Sequence, residues 1–471
     1  MSKTVHLMGI AGSAMTSLAG MFLELGWKVQ GSDQNFYPPS SEILKELGVK
    51  TFQGFSPEHL IHHPADLVVI GNVISRSNPE AQYVLQQKIP YQSMSAALYE
   101  YFLSSKERFV ITGTHGKTTT TSLLAWIFTV AQRDPGFFLG GSPLNFDAGY
   151  RVGKGKEFAI EGDEYDTAFF EKTPKFLHYG PQYVAITSIE FDHADIYRDL
   201  QHIQDQFFAL LGIIPASGCI LAHRDDPNVC NVVEHSKRQV TWYGLDDRKG
   251  YHVRDVRDTE IGKAYSVYNC EEKLFSVEAP LLGFHNVKNV LAATGLAMAA
   301  QVSPKQIKQA IESFRGVKKR QQKIGEAQKV SIYEDFAHHP TAIEETINAF
   351  VPMTRARGGK LWAIFEPRSN TTRRNIFQER FPQSFEKADH IILASVFRKN
   401  DALSEDDLLK PSLIVDRLKA KGKDAYTFDQ SVDILVHLKK NVQSQDVVVF
   451  MSNGNFQNLP RDLYAALKES G

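Results

Sequence analysis

Cysteine and net charge are both scarce in this sequence. The three cysteines among 471 residues, Cys219, Cys230 and Cys270, are widely spaced and lack the paired spacing of a zinc site. We therefore expect reduced, structural thiols. The 53 Lys and Arg residues against 54 Asp and Glu residues give a formal net charge of -1, so no overall field attracts nucleic acid or an anionic membrane. Any anion site must be local.

A long apolar run is absent as well. No segment approaches the roughly 18 consecutive apolar residues of a membrane span, and the first residues show no basic region followed by a cleavage site. The hydrophobic fraction of 42% and the charged fraction of 23% are ordinary for a globular protein. These features predict a cytoplasmic protein that binds neither nucleic acid nor a membrane.

Strand-like and helix-like patterns alternate through most of the chain, which favours an α/β fold with mainly parallel sheets. The pattern restarts twice, so we predict three domains over residues 1–106, 107–315 and 316–471. An amphipathic helix is expected from Ser13 to Leu25, and a polar, β-leaning segment at residues 240–280 precedes another strong helix. The predicted interior strands of the second and third domains are KEFAI, YVAIT, GCILA, VSIYEDFA, KLWAIFEP, HIILASVF and DVVVFMSN.

The segment ITGTHGKTTT is the most informative one. Gly113 and Gly116 let the backbone wrap around an anion, and the following helix points its N-terminal amides at that anion. Lys117 adds a charge for β and γ phosphates, and Thr118 is placed to ligate magnesium. The strict Walker spacing requires glycine at position 111, where this chain has Ile, so the segment is a shorter G-x-x-G-K-T variant. Its strand and helix flanks favour a nucleotide loop over a chance Gly-Lys-Thr.

Acidic side chains crowd the ends of two further predicted strands. The first group follows KEFAI and the second follows YVAIT, and their members are Glu161, Asp163, Glu164, Asp166, Glu190, Asp192, His193 and Asp195. Carboxylates this close repel one another unless a cation compensates, which favours a magnesium site over a solvated surface. We interpret the segment HLIHH, residues 59–63, as surface rather than as a metal cluster.

The turn GIAGSAM after the first strand is a weak dinucleotide-binding fingerprint. Read from Gly9, the fingerprint requires glycines at positions 11 and 14, and both are Ala. Gly12 is an extra glycine, and Asp33 follows the second strand, where an NAD enzyme would hold the ribose diol. By itself the turn favours NAD as a first interpretation.

Taken together and in order, these segments resemble the Mur ligase family of ATP-dependent amide ligases of peptidoglycan metabolism, over essentially the whole chain. The motifs that carry the resemblance are GTHGKT at residues 113–118, the strand-end Glu161 and later His193, FHNVKNVLAA, GVKKRQQKIGE and EDFAHHPTAI. The resemblance implies a Rossmann-like UDP-binding domain, a P-loop central ATPase domain and a C-terminal Rossmann-like α/β domain. It also implies that the first turn binds a UDP-sugar rather than NAD.

The site residues that the resemblance implies fall into five groups. The catalytic residues are Lys117, Glu161 and His193, and the magnesium ligands are Thr118, Glu161 and His193. The ATP-binding residues are Gly113, Thr114, His115, Gly116, Lys117, Thr118, Thr119, His285, Asn286, Asn289, Arg320, Asp335 and His339. The UDP-sugar residues are Gly9, Ala11, Gly12, Ser13, Ala14, Met15, Ser32 and Asp33. The peptide residues are Arg368, Ser369, Asn370 and Arg373, taken from FEPRSNT and the residues after it.

Within the family, details such as YPPS, EFDHADIY and FEPRSNT resemble the ligases that join UDP-N-acetylmuramate to the tripeptide L-alanyl-γ-D-glutamyl-meso-diaminopimelate. This implies ATP and Mg2+ as cofactors and a monomer or weak homo-oligomer that acts on small molecules in wall recycling. The first alternative is the ligase that adds L-alanine alone to UDP-N-acetylmuramate. A folyl-type ligase and a nucleotide-regulated binding protein are further alternatives.

Overall fold

The computed structural model describes residues 2–246, 248–398 and 403–469, and these form three α/β units, each with its own main sheet. The outermost residues of the first and third predicted domains, 1 and 470–471, lie outside the described residues. No helix in the described ranges is long and apolar enough to cross a bilayer.

The first unit is a five-stranded parallel sheet in the order β3-β2-β1-β4-β5. Its strands are β1 (Thr4–Met8), β2 (Lys28–Asp33), β3 (Lys50–Gln53), β4 (Leu67–Ile70) and β5 (Tyr91–Ser93). Its helices are α1 (Ser13–Glu24), α2 (Ser40–Glu46), α3 (Pro57–His62), α4 (Pro79–Gln86) and α5 (Met94–Leu98), and a π-helical turn follows at Tyr99–Leu103. Strand side chains alternate between faces, so Val5 and Leu7 pack with α1, while Met8 packs with α3 and α4.

The second unit is built on a ten-stranded mixed sheet in the order β17-β16-β15-β14-β13-β12-β6-β9-β7-β8. Its strands are β6 (Glu107–Thr112), β7 (Gly136–Phe138), β8 (Tyr150–Arg151), β9 (Glu157–Gly162), β12 (Tyr183–Ile186), β13 (Cys219–His223), β14 (Thr241–Tyr243), β15 (Tyr251–Asp258), β16 (Lys263–Asn269) and β17 (Glu272–Ala279). A separate hairpin consists of β10 (Asp166–Ala168) and β11 (Glu171–Pro174). The helices are α6 (Lys117–Val130), α7 (Leu200–Ile213), α8 (Pro227–Ser236), α9 (Phe284–Ala299) and α10 (Pro304–Glu312), with a 3-10 turn at Lys175–His178.

The middle of this sheet is parallel and carries the nucleotide-loop segment. Strands β9, β6, β12 and β13 lie side by side in parallel, and the β-leaning segment at residues 240–280 forms antiparallel β15 to β17 at one edge. The helix α6 buries Leu123, Leu124, Ile127 and Phe128, as its periodicity predicted. Because the carboxyl ends of parallel strands meet at one edge, the segments that follow β6, β9 and β12 come together there.

The third unit is a six-stranded sheet in the order β18-β19-β23-β20-β21-β22, in which β18 alone is antiparallel to its neighbour. Its strands are β18 (Gln322–Ala327), β19 (Val330–Asp335), β20 (Leu361–Phe365), β21 (His390–Ala394), β22 (Asp424–Phe428) and β23 (Val447–Met451). Its helices are α11 (Pro340–Arg357), α12 (Phe381–Ser384), α13 (Pro411–Ala420), α14 (Ser431–Asn441) and α15 (Leu459–Glu469), with 3-10 turns at Asn375–Phe377 and Phe456–Asn458. The four predicted strands are β19, β20, β21 and β23, whereas β18 and β22 escaped the prediction.

The units pack against one another through buried side chains. One continuous core joins Leu7 and Phe22 of the first unit to Phe158 of the second. At this contact Gly20 on α1 faces Tyr150, and a Cβ on Gly20 would lie 1.9 Å from the Tyr150 hydroxyl oxygen. Val317 still packs in the core of the second unit, and the third sheet begins at β18. The predicted boundaries at 106/107 and 315/316 remain predictions.

Candidate active site

The loop between β6 and α6 depends on its two glycines. Gly113 has φ +128° and Gly116 has φ +82°, which are backbone conformations that L side chains rarely adopt. Neither glycine has room for a side chain. A Cβ on Gly113 would lie 2.3 Å from Thr187 Oγ1, and one on Gly116 would lie 2.4 Å from Asn289 Oδ1. The loop is therefore held by a neighbouring strand end and by helix α9.

Lys117 lies half-buried at the start of α6, and its side chain is hydrogen-bonded to its own loop. Its Nζ donates to the Gly113 carbonyl at 2.6 Å and to Glu164 Oε2 at 2.8 Å. Burial opposes the charge of Lys117, but the carboxylates of Glu164 and Asp163 outweigh it and raise its pKa. The lysine is thus a fixed cation that faces the loop.

Glu161 and Thr118 lie together where β9 passes the loop. The Thr118 hydroxyl donates to Glu161 Oε2 at 3.1 Å, and the Gly140 amide donates to Glu161 Oε1 at 2.8 Å. Burial raises the pKa of Glu161 against the opposing effect of these donors. A carboxylate beside a hydroxyl is an oxygen donor set that suits Mg2+.

His193, a predicted magnesium ligand, lies beside Glu164 rather than beside Glu161. Its Nε2 lies 3.3 Å from Glu164 Oε1, and the side chains of Asp163, Glu164 and His193 form a group whose ligand atoms all lie within 4.8 Å of one another. Burial acts to raise the pKa of Glu164, but Lys117 and His193 outweigh it, so this pKa is lowered. A metal at His193 would therefore also contact Glu164, which was not among the predicted magnesium ligands.

A second group of possible ligands lies where the third unit meets the loop. His115 Nε2 is 2.7 Å from Glu190 Oε2, and His339 Nδ1 is 3.2 Å from the same oxygen. Thr341 donates to the other oxygen at 2.8 Å, and Arg380 approaches it at 3.6 Å. Glu190 thus connects the loop to the third unit.

His339 does not line the central cleft, although it was predicted to bind ATP. It is 1% exposed and caps α11, and burial, followed by the charge of His115, lowers its pKa to about 3. Its neighbour His338 lines the cleft instead, with a pKa that burial lowers. The sequence offered no means to tell the two histidines apart.

The remaining predicted ATP residues, except Gly113, line a cleft of about 550 Å³. Asp335 accepts from the Gln321 amide at 2.7 Å, and Asn289 donates to Asn286 at 3.0 Å. The Arg320 guanidinium lies 4.5 Å from the centre of the Phe336 ring. The predicted residues that line this cleft are Thr114, His115, Gly116, Lys117, Thr118, Thr119, Glu161, His193, His285, Asn286, Asn289, Arg320 and Asp335.

A smaller cleft of about 360 Å³ opens at the first turn. The predicted residues that line it are Gly9, Ala11, Gly12, Ser13, Ala14, Met15 and Asp33. Asp33 Oδ2 accepts from the Ala11 amide at 2.9 Å, so this carboxylate holds the turn. Gly9 has φ +84°, and its amide donates to the Ser32 carbonyl at 2.8 Å.

Ser32 itself does not line this cleft, contrary to its predicted place near the nucleoside. It is fully buried, and its hydroxyl donates to Glu80 Oε2 at 2.5 Å. Glu80 also meets His6 at 3.1 Å and His59 at 3.2 Å. The interpretation of HLIHH as surface is therefore wrong for His59, whose acidic partner comes from α4.

The two clefts share three lining residues, Ala14, Met94 and Lys175. Lys175 comes from the second unit, and its Nζ lies 2.5 Å from Asp163 Oδ2. Sequence reasoning missed Lys175 because nothing in the segment EKTPKF marks a lysine that reaches another domain. The clefts are thus neighbours, which matters for any reaction between their ligands.

The predicted peptide residues lie in the third unit, and none of them lines either cleft. Arg368 Nη1 is 3.5 Å from Glu366 Oε1, and its guanidinium lies 3.8 Å from the centre of the Phe397 ring. Asn370 donates to Asp195 at 3.0 Å, which links the third unit to the second. Arg373 is buried, at 2% exposure. Of the two predicted arginines, Arg368 is therefore partly accessible and Arg373 is buried.

The fold and the clefts define a class: a three-domain α/β protein in which a glycine-bounded loop, buried carboxylates and a second cleft meet at the domain interfaces. Three family models match it in order. They are the catalytic domain of the Mur ligase family at residues 4–105, the Mur ligase middle domain at residues 111–297 and the Mur ligase glutamate ligase domain at residues 319–454.

Full-length relatives agree with these matches. The chain is 35% identical to the UDP-N-acetylmuramate–L-alanyl-γ-D-glutamyl-meso-2,6-diaminoheptandioate ligase of Escherichia coli, over 98% of each chain. It is 33% identical to the ligase of the same name from Haemophilus influenzae, over 99% of each chain. A solved murein peptide ligase of Psychrobacter arcticus is 32% identical, with a TM-score of 0.71 over 99% of each chain. The chain belongs to the Mur ligase family.

Proposed function

We propose that this protein is an ATP-dependent, ADP-forming ligase that joins the carboxylate of UDP-N-acetylmuramate to the amino group of L-alanyl-γ-D-glutamyl-meso-diaminopimelate. The relatives that share a third of its sequence over their full length carry this activity in their names. The observation that carries the proposal is the junction of the two clefts at Ala14, Met94 and Lys175. A sugar-nucleotide carboxylate and a nucleotide phosphate must meet for such a reaction, and adjoining clefts allow them to meet.

We assign the first cleft to UDP-N-acetylmuramate. The sheet order β3-β2-β1-β4-β5 is that of Rossmann-like nucleotide-binding domains, whose first turn holds a diphosphate at a helix N-terminus. The turn at Gly9 to Ser13 has this placement before α1. Asp33, at the end of β2, is assigned to the nucleoside side of the cleft, and the Ser32 carbonyl supports the turn.

We assign the central cleft to ATP. The loop at residues 113–118 acts as a P-loop, in which backbone amides and Lys117 hold the β and γ phosphates. His285, Asn286 and Asn289 at the start of α9 hold the adenine side, and Arg320 and Asp335 complete the cleft from the third domain. In this assignment the predicted domains 1–106, 107–315 and 316–471 bind the UDP-sugar, ATP and the peptide.

The chemistry requires activation, because a carboxylate does not react with an amine at neutral pH. One oxygen of the muramyl carboxylate attacks the γ phosphorus of ATP, ADP leaves, and an acyl phosphate forms. The peptide amine then attacks the acyl carbon, and phosphate leaves. Lys117 offsets the charge of the phosphates, and the third domain excludes water from the acyl phosphate. Mg2+, held by Thr118 and Glu161, would neutralise phosphate charge, and His193 with Glu164 offers a second position.

For the peptide we assign Arg368, with Ser369 and Asn370 beside it. An arginine can bind a peptide carboxylate through two parallel hydrogen bonds. The burial of Arg373 favours a structural role for that residue. A cytoplasmic location is part of the same proposal, because its substrates are a nucleotide sugar and ATP.

The test is an ADP-release assay with UDP-N-acetylmuramate and a panel of acceptors: L-alanine, the dipeptide, the tripeptide and a tetrapeptide. We expect release that depends on both substrates and is fastest with the tripeptide. Release with L-alanine alone would identify the UDP-N-acetylmuramate L-alanine ligase instead. ATP binding without acceptor-dependent release of ADP would favour a nucleotide-regulated binding protein.

A further inference from the structure

The first cleft has little positive charge of its own. Among the described residues that line it, Lys175 is the only one with a cationic side chain, and Asp33 is an acid. The proposed ligand of this cleft carries a diphosphate and a carboxylate. Backbone amides at the start of α1 can hold a diphosphate without a side-chain cation, but they leave the carboxylate without a partner.

Lys175 is held at the junction of the two clefts. It begins the 3-10 turn Lys175–His178 that follows the β10–β11 hairpin, and its side chain is 12% exposed. Its Nζ is 2.5 Å from Asp163 Oδ2, which fixes the end of a long side chain. An ammonium group has three donors, so the bond to Asp163 leaves donors for a ligand.

We propose that Lys175 binds the lactyl carboxylate of UDP-N-acetylmuramate and places it beside the γ phosphate of ATP. This inference rests on the proposed function. A carboxylate at the junction is the part of the sugar nucleotide that must enter the central cleft. Two anions repel each other as they approach, and a shared ammonium group lowers that repulsion.

The step balances without a proton transfer. A carboxylate oxygen supplies the electron pair of the new P–O bond, and the bond between the γ phosphorus and the bridging oxygen breaks, with its electron pair leaving on ADP. Lys175 keeps its proton throughout and moves its hydrogen bond from the carboxylate to the acyl phosphate. Asp163 stays its partner, so the cation is not released.

The test compares two ligands that differ at the carboxylate. UDP-N-acetylglucosamine has the same nucleotide and a related sugar but no lactyl group. Calorimetric titration with each ligand, without ATP, should show that Lys175→Met weakens binding of UDP-N-acetylmuramate by about 10-fold or more, as expected for a lost hydrogen bond to a charged group. Binding of UDP-N-acetylglucosamine should stay within about twofold of wild type.

Two further variants separate the proposal from a structural role. Lys172→Met removes an exposed lysine of the same hairpin, paired with Asp166, and should change neither affinity. The double variant Lys175→Met with Asp163→Asn leaves no unpaired carboxylate at this position, and it should show the same ligand discrimination as the single variant. Lys175→Arg should restore part of the affinity for UDP-N-acetylmuramate.

Equal weakening of both ligands by Lys175→Met would place the lysine on the diphosphate and overturn the inference. Unchanged affinity for both would make the Asp163 pair purely structural and overturn it as well. A wild-type protein that binds neither UDP-sugar would contradict the proposed function itself. The failures of the two proposals are therefore distinguishable.

Discussion

The turn after β1 and the loop after β6 have the same layout, a parallel strand followed by a tight turn and a helix. They differ in local charge and in the space available for a side chain at their glycines. Lys117 comes directly after Gly116, and its side chain hydrogen-bonds to the loop. The first turn has no lysine beside it, and its cleft receives Lys175 from another domain. A Cβ on Gly113 would collide with Thr187, but a Cβ on Gly12 would meet only the Gly9 carbonyl oxygen at 3.4 Å. Two turns of similar backbone shape can thus obtain their lysine either from the adjoining residue or from another domain.

The largest difference should appear when each cleft loses its lysine. Lys117→Met removes a half-buried cation from the loop and leaves Glu164 without its main partner, so we expect kcat of ligation to fall by about 10²- to 10³-fold or more. Steady-state ADP release measures this fall. Lys156→Met, at an exposed ion pair with Glu107, is the matched control and should keep wild-type turnover. Near-normal ligation by Lys117→Met would contradict the assignment of the loop.

We expect low pH to reduce the stability of the protein through Glu190 and His339, which lie where the loop after β6 meets the third domain. Burial acts against the charge of Glu190, but His115, His339 and Thr341 outweigh it and lower its pKa from 4.5 to about 2. Its stabilising contribution is complete above pH 4.5 and is lost as the pH falls towards about 2. Burial lowers the pKa of His339 from 6.5 to about 3. The unfolded chain binds that proton first, so stability also falls as the pH drops below 6.5.

Two variants distinguish the pH range in which Glu190 acts from the range in which His339 acts. Thermal unfolding of each is followed by calorimetry at a series of pH values. Glu190→Gln should flatten the dependence below pH 4.5, and His339→Asn should flatten the dependence between about 3 and 6.5. Asn suits the N-cap of α11, so the helix start is kept. Each pKa unit corresponds to about 1.4 kcal/mol of unfolding free energy. An unchanged pH dependence in both variants would mean that this contact contributes no stability.

A glycine pair gives the next comparison. Gly113→Ala places a Cβ against Thr187 and Ser188 at φ +128°, and we expect a loss of about 2 to 5 kcal/mol in unfolding free energy. Gly12 has φ -65° and ψ 138°, which any residue adopts, so Gly12→Ala should change the unfolding free energy by no more than about 0.5 kcal/mol. Thermal melting of both variants tests this. Equal losses would show that the two turns are equally tight.

A smaller effect than at Gly113 is expected at Asp33. Asp33→Ala frees the Ala11 amide from its 2.9 Å bond and should cost about 1 kcal/mol of unfolding free energy. Asp33→Asn retains an acceptor oxygen and should cost less. Urea titration of the two variants measures the difference. If both lose the same amount, the bond to Ala11 does not hold the turn.

Much of the fold could be predicted because the signals are local. The periodicity of α1 and α6, the buried strands of the middle sheet and the β-leaning edge at residues 240–280 are repeated patterns along one segment. The loop at residues 113–118 was recognisable for the same reason, since glycines, lysine and threonine at fixed spacing describe one turn. Strands β18 and β22 were missed because they lack a strong apolar pattern. Of the five residues of β22, only Ala425 is buried.

Contacts between side chains that are distant in the sequence were predicted less well than the local elements. His193 was named as a magnesium ligand, but Glu164, the carboxylate that its ring contacts, was not. Ser32 and His59 both turn inward to Glu80, which is far from each of them in sequence. A pattern along one segment cannot state which way a neighbouring segment faces.

The sequence by itself determined the three α/β units, the glycine-bounded loop and the family resemblance, because each of these depends on residue types at short, fixed spacing. Only the tertiary structure decided that Lys175 completes the first cleft, that Glu190 joins the loop to the third domain and that His338 rather than His339 lines the central cleft. The physical reason is that an ion pair or a shared cleft is selected by distance in space. That distance is set by how the three sheets pack together.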